Sequence, residues 1–168
     1  VAWALEAPTG RGSIVSTPDL AAAGPDVLAL ENQVCFSLTV AARTVVALYK
    51  PILEPLGLTH PQYLVMLALW EENPRTLRSL ADALRLEPAT LSPLLKRLEA
   101  AGYLRRERST VDERALQVTL THRGRDLRAI AETIPARVAS TLDMSAESLV
   151  ALRDALDGVI SAATGPTA

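Results

Sequence analysis

A chain of 168 residues, 49% hydrophobic and 21% charged, is one ordinary globular domain's worth and long enough to bury a core. One cysteine and two histidines exclude an intrachain disulfide framework and a Cys- or His-rich metal centre, and no uncharged run reaches the roughly 18 residues of a membrane span. The net charge of −2 is uneven: residues 75–128 hold 12 basic and seven acidic residues, leaving the segment at +5 and the rest of the chain at −7. A positive middle between negative flanks suits docking on a phosphate backbone, though a solvated helical surface with surplus arginine has the same composition.

Residues 1–25 carry three Gly and three Pro without sustained periodicity, and read as a poorly ordered tail. They lack a basic n-region and Glu6 interrupts their apolar run, so no secretory signal and a cytoplasmic location are expected. Asp26 is positioned to cap a helix over residues 27–53, where Leu30, Val34, Leu38, Ala41, Val45, Leu48 and Ile52 recur at three and four. Pro51 and Gly57 close it. A second helix runs from Pro61, at a first-turn position, to Glu72, and Asn73-Pro74 makes a turn. Thr76 caps a short helix with Leu77, Leu80, Ala81 and Leu84 on its apolar side.

Residues 86–102 lead into a polar-fronted helix ending at Gly102, a good residue just past a helix. Pro93 belongs in a first turn, which makes Thr90 a plausible N-cap; a start nearer Pro88 with a kink at Pro93 is the alternative. Residues 103–108 and 115–120 read as two strands around the charged turn 109–114. Thr121 caps a long helix to about residue 142, bent or broken at Pro135, and Ser145 caps a last one to about residue 163.

This order predicts a mainly α fold with a small β-hairpin: a winged helix-turn-helix (61–120) flanked by a helical dimerisation layer (26–60 and 121–168). A helix fits the major groove and its first turns reach base edges, which assigns base contact to Thr90, Leu91 and Ser92 and phosphate contact to Lys96 and Arg97. The hairpin would lay Arg105, Arg108 and Arg114 on the backbone or in the minor groove, with Asp112 orienting Arg114; an exposed Asp112–Arg114 ion pair is the plainer alternative. The helices outside the module are too long and apolar to serve it alone. A two-fold homodimer reading a pseudo-palindromic double-stranded operator follows. No Ser-His-Asp set, phosphate-cradling Gly loop or paired carboxylates point to an enzyme, and no cofactor, metal or membrane is expected.

Cys35, Thr39, Ala42, Val46 and Tyr49 share one helical stripe at 100° per residue. Tyr49 lies fourteen residues beyond Cys35, about 21 Å along the axis, so only the Cys35 of an antiparallel partner helix is within its reach. A helix start favours a thiolate, although a lone cysteine on an apolar face is usually a small buried hydrophobe. His60 reads as a structural polar group or as a neighbour of the cysteine, and His122 as a surface or phosphate-contacting group.

Over roughly residues 28–163 the chain resembles the MarR family of bacterial transcription regulators. The resemblance rests on Pro61-Gln62-Tyr63-Leu64-Val65-Met66-Leu67, on the helix Thr90-Leu91-Ser92-Pro93-Leu94-Leu95-Lys96-Arg97-Leu98-Glu99, and on Asp112-Glu113-Arg114 followed by Leu120-Thr121. Leu30-Glu31-Asn32-Gln33-Val34-Cys35-Phe36 and Tyr49-Lys50-Pro51 look like its one-cysteine branch, which senses organic hydroperoxides through oxidation of a thiolate to a sulfenic acid. That branch has tyrosines where this chain has Thr39 and His60, and keeps Tyr49. The resemblance implies a repressor whose DNA affinity falls when Cys35 is oxidised, with Tyr49, Thr39 and His60 around it. A regulator gated by a small aromatic or phenolic ligand, bound between the dimer layer and the winged lobe, is the alternative.

Overall fold

The first long helix, α1 (Val34–Leu53), starts seven residues later than its periodicity predicts. Local hydrogen bonding explains the delay. The Asp26 carboxylate accepts from the Leu28 N–H (2.9 Å), and the Asn32 side chain donates to the Asp26 carbonyl (2.9 Å), which holds the chain in a short 3-10 turn at Leu30–Asn32. The computed structural model describes residue 26 and residues 28–108 and 116–165. The expected tail over residues 1–25 and the wing-tip residues Asp112 and Arg114 lie outside these.

Two compact units divide at residue 43. In the first, no described residue is buried: Leu28, Leu30, Val34 and Phe36 are all exposed. Together with the turn after it, α1 is long and apolar enough by composition to cross a membrane, over residues 34–56, although Arg43, Lys50 and Glu54 lie in it. An uncharged-run criterion passes over this segment because those single charges interrupt it. Length and composition of this kind also describe a helix whose apolar face meets another protein surface.

In the second unit, a 3-10 turn at Glu54–Leu56 and Gly57, at φ +67°, turn the chain into α2 (His60–Glu71). A capping box opens α2, in which Gln62 reaches back to the Thr59 N–H (2.8 Å). A two-residue strand, β1 (Arg75–Thr76), then precedes α3 (Leu77–Leu84), α4 (Pro88–Ala100), β2 (Leu104–Arg108), β3 (Leu116–Leu120), α5 (His122–Ala131), α6 (Ile134–Leu142) and α7 (Ala146–Thr164). The strands form one antiparallel sheet in the order β1-β3-β2, with Arg75 opposite Val118 and Leu104 opposite Leu120. The long helix expected after the wing is two helices, with Pro135 in the first turn of the second.

The core of this unit packs Val65, Met66 and Leu69 of α2 against Leu80 of α3, the stripe Leu91, Leu95 and Leu98 of α4, and Leu104 and Val118 of the sheet. Each fully buried side chain of this size stabilises the fold by about 1.5–3 kcal/mol. The last helix is different. Its Ser145 cap accepts from the Ser148 N–H (3.1 Å), yet none of its 19 residues is buried, and Val150, Leu152, Val159 and Ile160 face outward.

Candidate nucleic-acid interface and cysteine site

Thr76 accepts from the Ser79 N–H (3.1 Å) and starts α3, which stops at Arg85 in the left-handed region, φ +52°. The turn at Arg85 to Glu87 leads into α4, whose N-cap is Glu87 with Pro88 in the first turn. Thr90 is therefore a helical residue rather than the cap, and Pro93 sits inside the helix. The Pro93 ring has no N–H for the Ala89 carbonyl, while the Ser92 hydroxyl donates to the Pro88 carbonyl (2.8 Å).

This earlier start sets which face points out. Thr90, Pro93, Lys96 and Arg97 are exposed, and Ser92 is half-buried. Leu91 is wholly buried, one rung of the Leu91–Leu95–Leu98 stripe, so its expected base contact is corrected: its side chain faces the core. The exposed face of α4 thus carries a hydroxyl at one end and two cations further on, the order suited to base edges and then phosphates.

The wing is tied to this helix by one carboxylate. Glu99 accepts from the Arg106 main-chain N–H (2.9 Å) and from its Nε (2.8 Å) and Nη2. Since β2 is an edge strand, that N–H points away from β3, and Glu99 covers the free edge. The Arg106 guanidinium holds the Glu99 carboxyl below its usual range. Arg105 and Arg108 stay exposed, Arg105 lying 3.8 Å from Glu107.

Several of the other cations brace the lobe. Arg75 donates to the Ala68 carbonyl (3.0 Å) and pairs with Glu71 and Glu72, and Arg125 donates to the Leu120 carbonyl (2.8 Å). Exposed His122 lies 2.6 Å from Asp126. Of the positive segment, then, Lys96, Arg97, Arg105 and Arg108 are exposed where the expected DNA face lies.

Cys35 is the second residue of α1 and is exposed. The Thr39 hydroxyl donates to the Cys35 carbonyl (2.8 Å), so it is engaged with the main chain rather than with the sulfur. Tyr49 and His60 belong to the second unit, and their rings meet edge-on with centroids 4.8 Å apart. Burial lowers the His60 pKa from 6.5, which favours the neutral imidazole. Tyr63 lies 5.9 Å beyond Tyr49, its hydroxyl pushed up by burial and then by Tyr49, and Trp70 lies 6.4 Å beyond Tyr63. Beside His60 is a cleft of about 480 Å³, walled by Val46, Ala47, Leu58 and Pro61 and edged by Lys50. Among the described residues, no group of three or more His, Cys, Asp or Glu could hold a metal ion.

Sequence reasoning missed Glu99 and Tyr103 as structural groups. The Tyr103 hydroxyl donates to the Leu56 carbonyl (2.7 Å), 47 residues away. Neither interaction has a local signature, because each depends on how distant segments pack.

Known proteins similar to this chain are transcriptional regulators. Residues 47–129 match the family model described as transcriptional regulator SarA/Rot. The chain is 40% identical over 131 residues to the organic hydroperoxide resistance transcriptional regulator of Bacillus subtilis, covering 78% of this chain and 89% of that one. AbfR of Staphylococcus epidermidis is similar in its reduced form bound to DNA (36% identity, TM-score 0.67, 81% of this chain and 95% of that one). It is also similar in its overoxidized form bound to DNA (38%, TM-score 0.64, 77% and 92%). A MarR transcriptional regulator from Methanosarcina mazei shares the fold at 21% identity (TM-score 0.67, 76% and 94%).

Proposed function

The chain belongs to the MarR family of DNA-binding transcription regulators, and from that premise we propose that it is a homodimeric repressor released from DNA when an organic hydroperoxide oxidises Cys35. One observation carries the redox reading. The chain's one cysteine is exposed in the first turn of the helix with the unpartnered apolar face, in a chain 40% identical to an organic hydroperoxide resistance regulator.

The dimer reading is supported by exposed apolar side chains at both ends of the described chain, on α1 and on α7. Exposed surfaces of this extent call for a partner, and a second copy supplies one in closed two-fold form. An α1 running antiparallel to its partner would bring Cys35 of one protomer toward Tyr49 and His60 of the other. Sedimentation should show a dimer, and a folded monomer at micromolar concentration would end this reading.

In the dimer the proposed reaction balances simply. The Cys35 thiolate attacks a peroxide oxygen; an S–O bond forms as the O–O bond breaks, and the alkoxide takes a proton and leaves as an alcohol. Sulfur is oxidised to a sulfenic acid and the hydroperoxide is reduced. The added oxygen must find hydrogen bonds in an apolar seam or move the helices apart. Release by 100-fold needs about 2.7 kcal/mol, the order of one displaced buried polar group.

On DNA, Thr90 and Ser92 would meet base edges, Lys96 and Arg97 phosphates, and Arg105, Arg108 and Arg114 the backbone beside the wing, with Asp112 orienting Arg114. Such a regulator works in the cytoplasm, on double-stranded DNA, with no catalytic turnover. The cleft beside His60 favours a second reading, a small aromatic or phenolic ligand as the trigger. A mobility shift with and without cumene hydroperoxide separates the two: loss of the shifted band in the wild type but not in Cys35→Ser supports redox gating. Release of both proteins, or of neither, removes it.

A further inference from the structure

Helix α4, the wing and α5 meet at Tyr103, which is 4% exposed. Its N–H donates to the Leu98 carbonyl (3.0 Å), and its carbonyl accepts from the Thr121 N–H (3.0 Å) and hydroxyl (3.2 Å). The Arg123 guanidinium stands 4.8 Å from its ring centroid. Gly124 packs so closely on its carbonyl that no Cβ fits between them. All these contacts hold the residue within the DNA-binding lobe. Its hydroxyl alone reaches out, to the Leu56 carbonyl in the turn that joins α1 to α2. Among the described residues, no other hydrogen bond runs from residues 54–58 to α3, α4 or the wing.

We propose that Tyr103 is the positioning residue that couples the end of α1 to the base of the wing, a role that rests on the regulator reading above. A hydrogen bond of 2.7 Å fails beyond about 3.5 Å, so it tolerates little relative motion of its ends. The ring end is fixed by main-chain bonds on both sides of the residue. A shift of the Leu56 turn therefore either moves the wing's base with it or breaks the bond, and both outcomes change how the wing stands beside α4. Oxidation at the start of α1 would reach the DNA face by this route. By reciprocity, DNA held by the wing would restrain the turn.

Tyr103→Phe tests this, because it keeps the ring and its packing and removes the hydroxyl. Reduced and cumene hydroperoxide-treated proteins are titrated, by fluorescence anisotropy, into a duplex selected from a random pool by the reduced wild type. Hydrogen exchange over residues 54–58 is measured with and without that duplex. The wild type should lose about 100-fold in affinity on oxidation, and the Phe variant less than about tenfold, at similar reduced-state affinity. The duplex should slow exchange at the turn in the wild type and leave it unchanged in the variant. A general loss of packing would weaken both redox states alike and leave their ratio intact. A responsive wild type with an equally responsive Phe variant would overturn the coupling role and leave the redox reading standing. If the wild type itself ignores hydroperoxide, the redox reading falls and the exchange arm decides: turn protection by the duplex in the wild type alone supports the coupling, and any other pattern refutes it.

Discussion

Gly124→Ala sets two opposing effects against each other. Gly124 is the third residue of α5, where exchange for alanine gains up to about 1 kcal/mol of helix propensity. The structure places a cost against that gain. A Cβ there would lie 3.0 Å from the Tyr103 carbonyl carbon and 3.2 Å from Leu120 Cδ2, and closer still to the Tyr103 carbonyl oxygen. Backbone blocks it, so the start of α5 must lift. Lifting strains the Thr121 hydroxyl bond to the Gly102 carbonyl (2.7 Å), the Thr121 N–H bond to Tyr103 (3.0 Å) and the Trp70 Nε1 bond to the Gly124 carbonyl (2.8 Å). Those bonds contribute about 1 kcal/mol each, and overpacking costs about 1–3 kcal/mol more. With those bonds lost, the net expectation is about 3–5 kcal/mol of destabilisation, or roughly 6–20 °C in Tm for a chain of this length. Urea and thermal unfolding at fixed protein concentration measure it. Unchanged or raised stability would refute the close packing of α5 on the wing's base.

Other changes separate fold from function. Leu91→Ala should destabilise by about 2–5 kcal/mol and leave sequence preference as it was, because the side chain is in the core; calorimetry and binding-site selection check the two halves. Arg114→Ala should weaken binding to every duplex and flatten the salt slope by about one unit, read from titrations at several salt concentrations, with a larger loss at A·T-rich sites if the side chain enters the minor groove. His60 binds its proton less readily folded than unfolded, so its stabilising contribution is present above pH 6.5 and is lost as pH falls through its lowered folded value. His60→Phe should therefore lose less stability than the wild type between about pH 7.5 and about pH 5.5 in urea titrations, and an equal loss would discount the burial of the imidazole.

Features that are local in the chain were legible in the sequence. The caps Thr76, Thr121 and Ser145 each accept from the N–H three residues on, as a serine or threonine before an apolar-periodic run predicts. Gly102 ends α4 at φ +77°. Boundaries were harder where two local signals competed: Asp26 and Asn32 hold a turn where periodicity alone predicts helix, and of the two starts the sequence left open for α4, Pro88 rather than Pro93 takes the first turn. That second choice moves Leu91 inward. The short β1 was illegible because two residues have no period and pair only with β3, 41 to 43 residues on. At the candidate site, Thr90, Lys96, Arg97, Arg105 and Arg108 are exposed as the helix and hairpin patterns required. The grip of Glu99 on Arg106 and the reach of Tyr103 to Leu56 required the fold, since 7 and 47 residues of chain separate their partners.

Redox gating through Cys35 is tested most directly by measuring the DNA affinity of the wild type and of Cys35→Ser side by side, reduced and after one equivalent of cumene hydroperoxide, with the intact mass recorded on the same samples. The wild type should gain one oxygen and lose about 100-fold in affinity, while the serine variant binds equally well in both states and gains nothing. A wild type that gains the oxygen and keeps its affinity, or a serine variant released as readily as the wild type, would contradict the account.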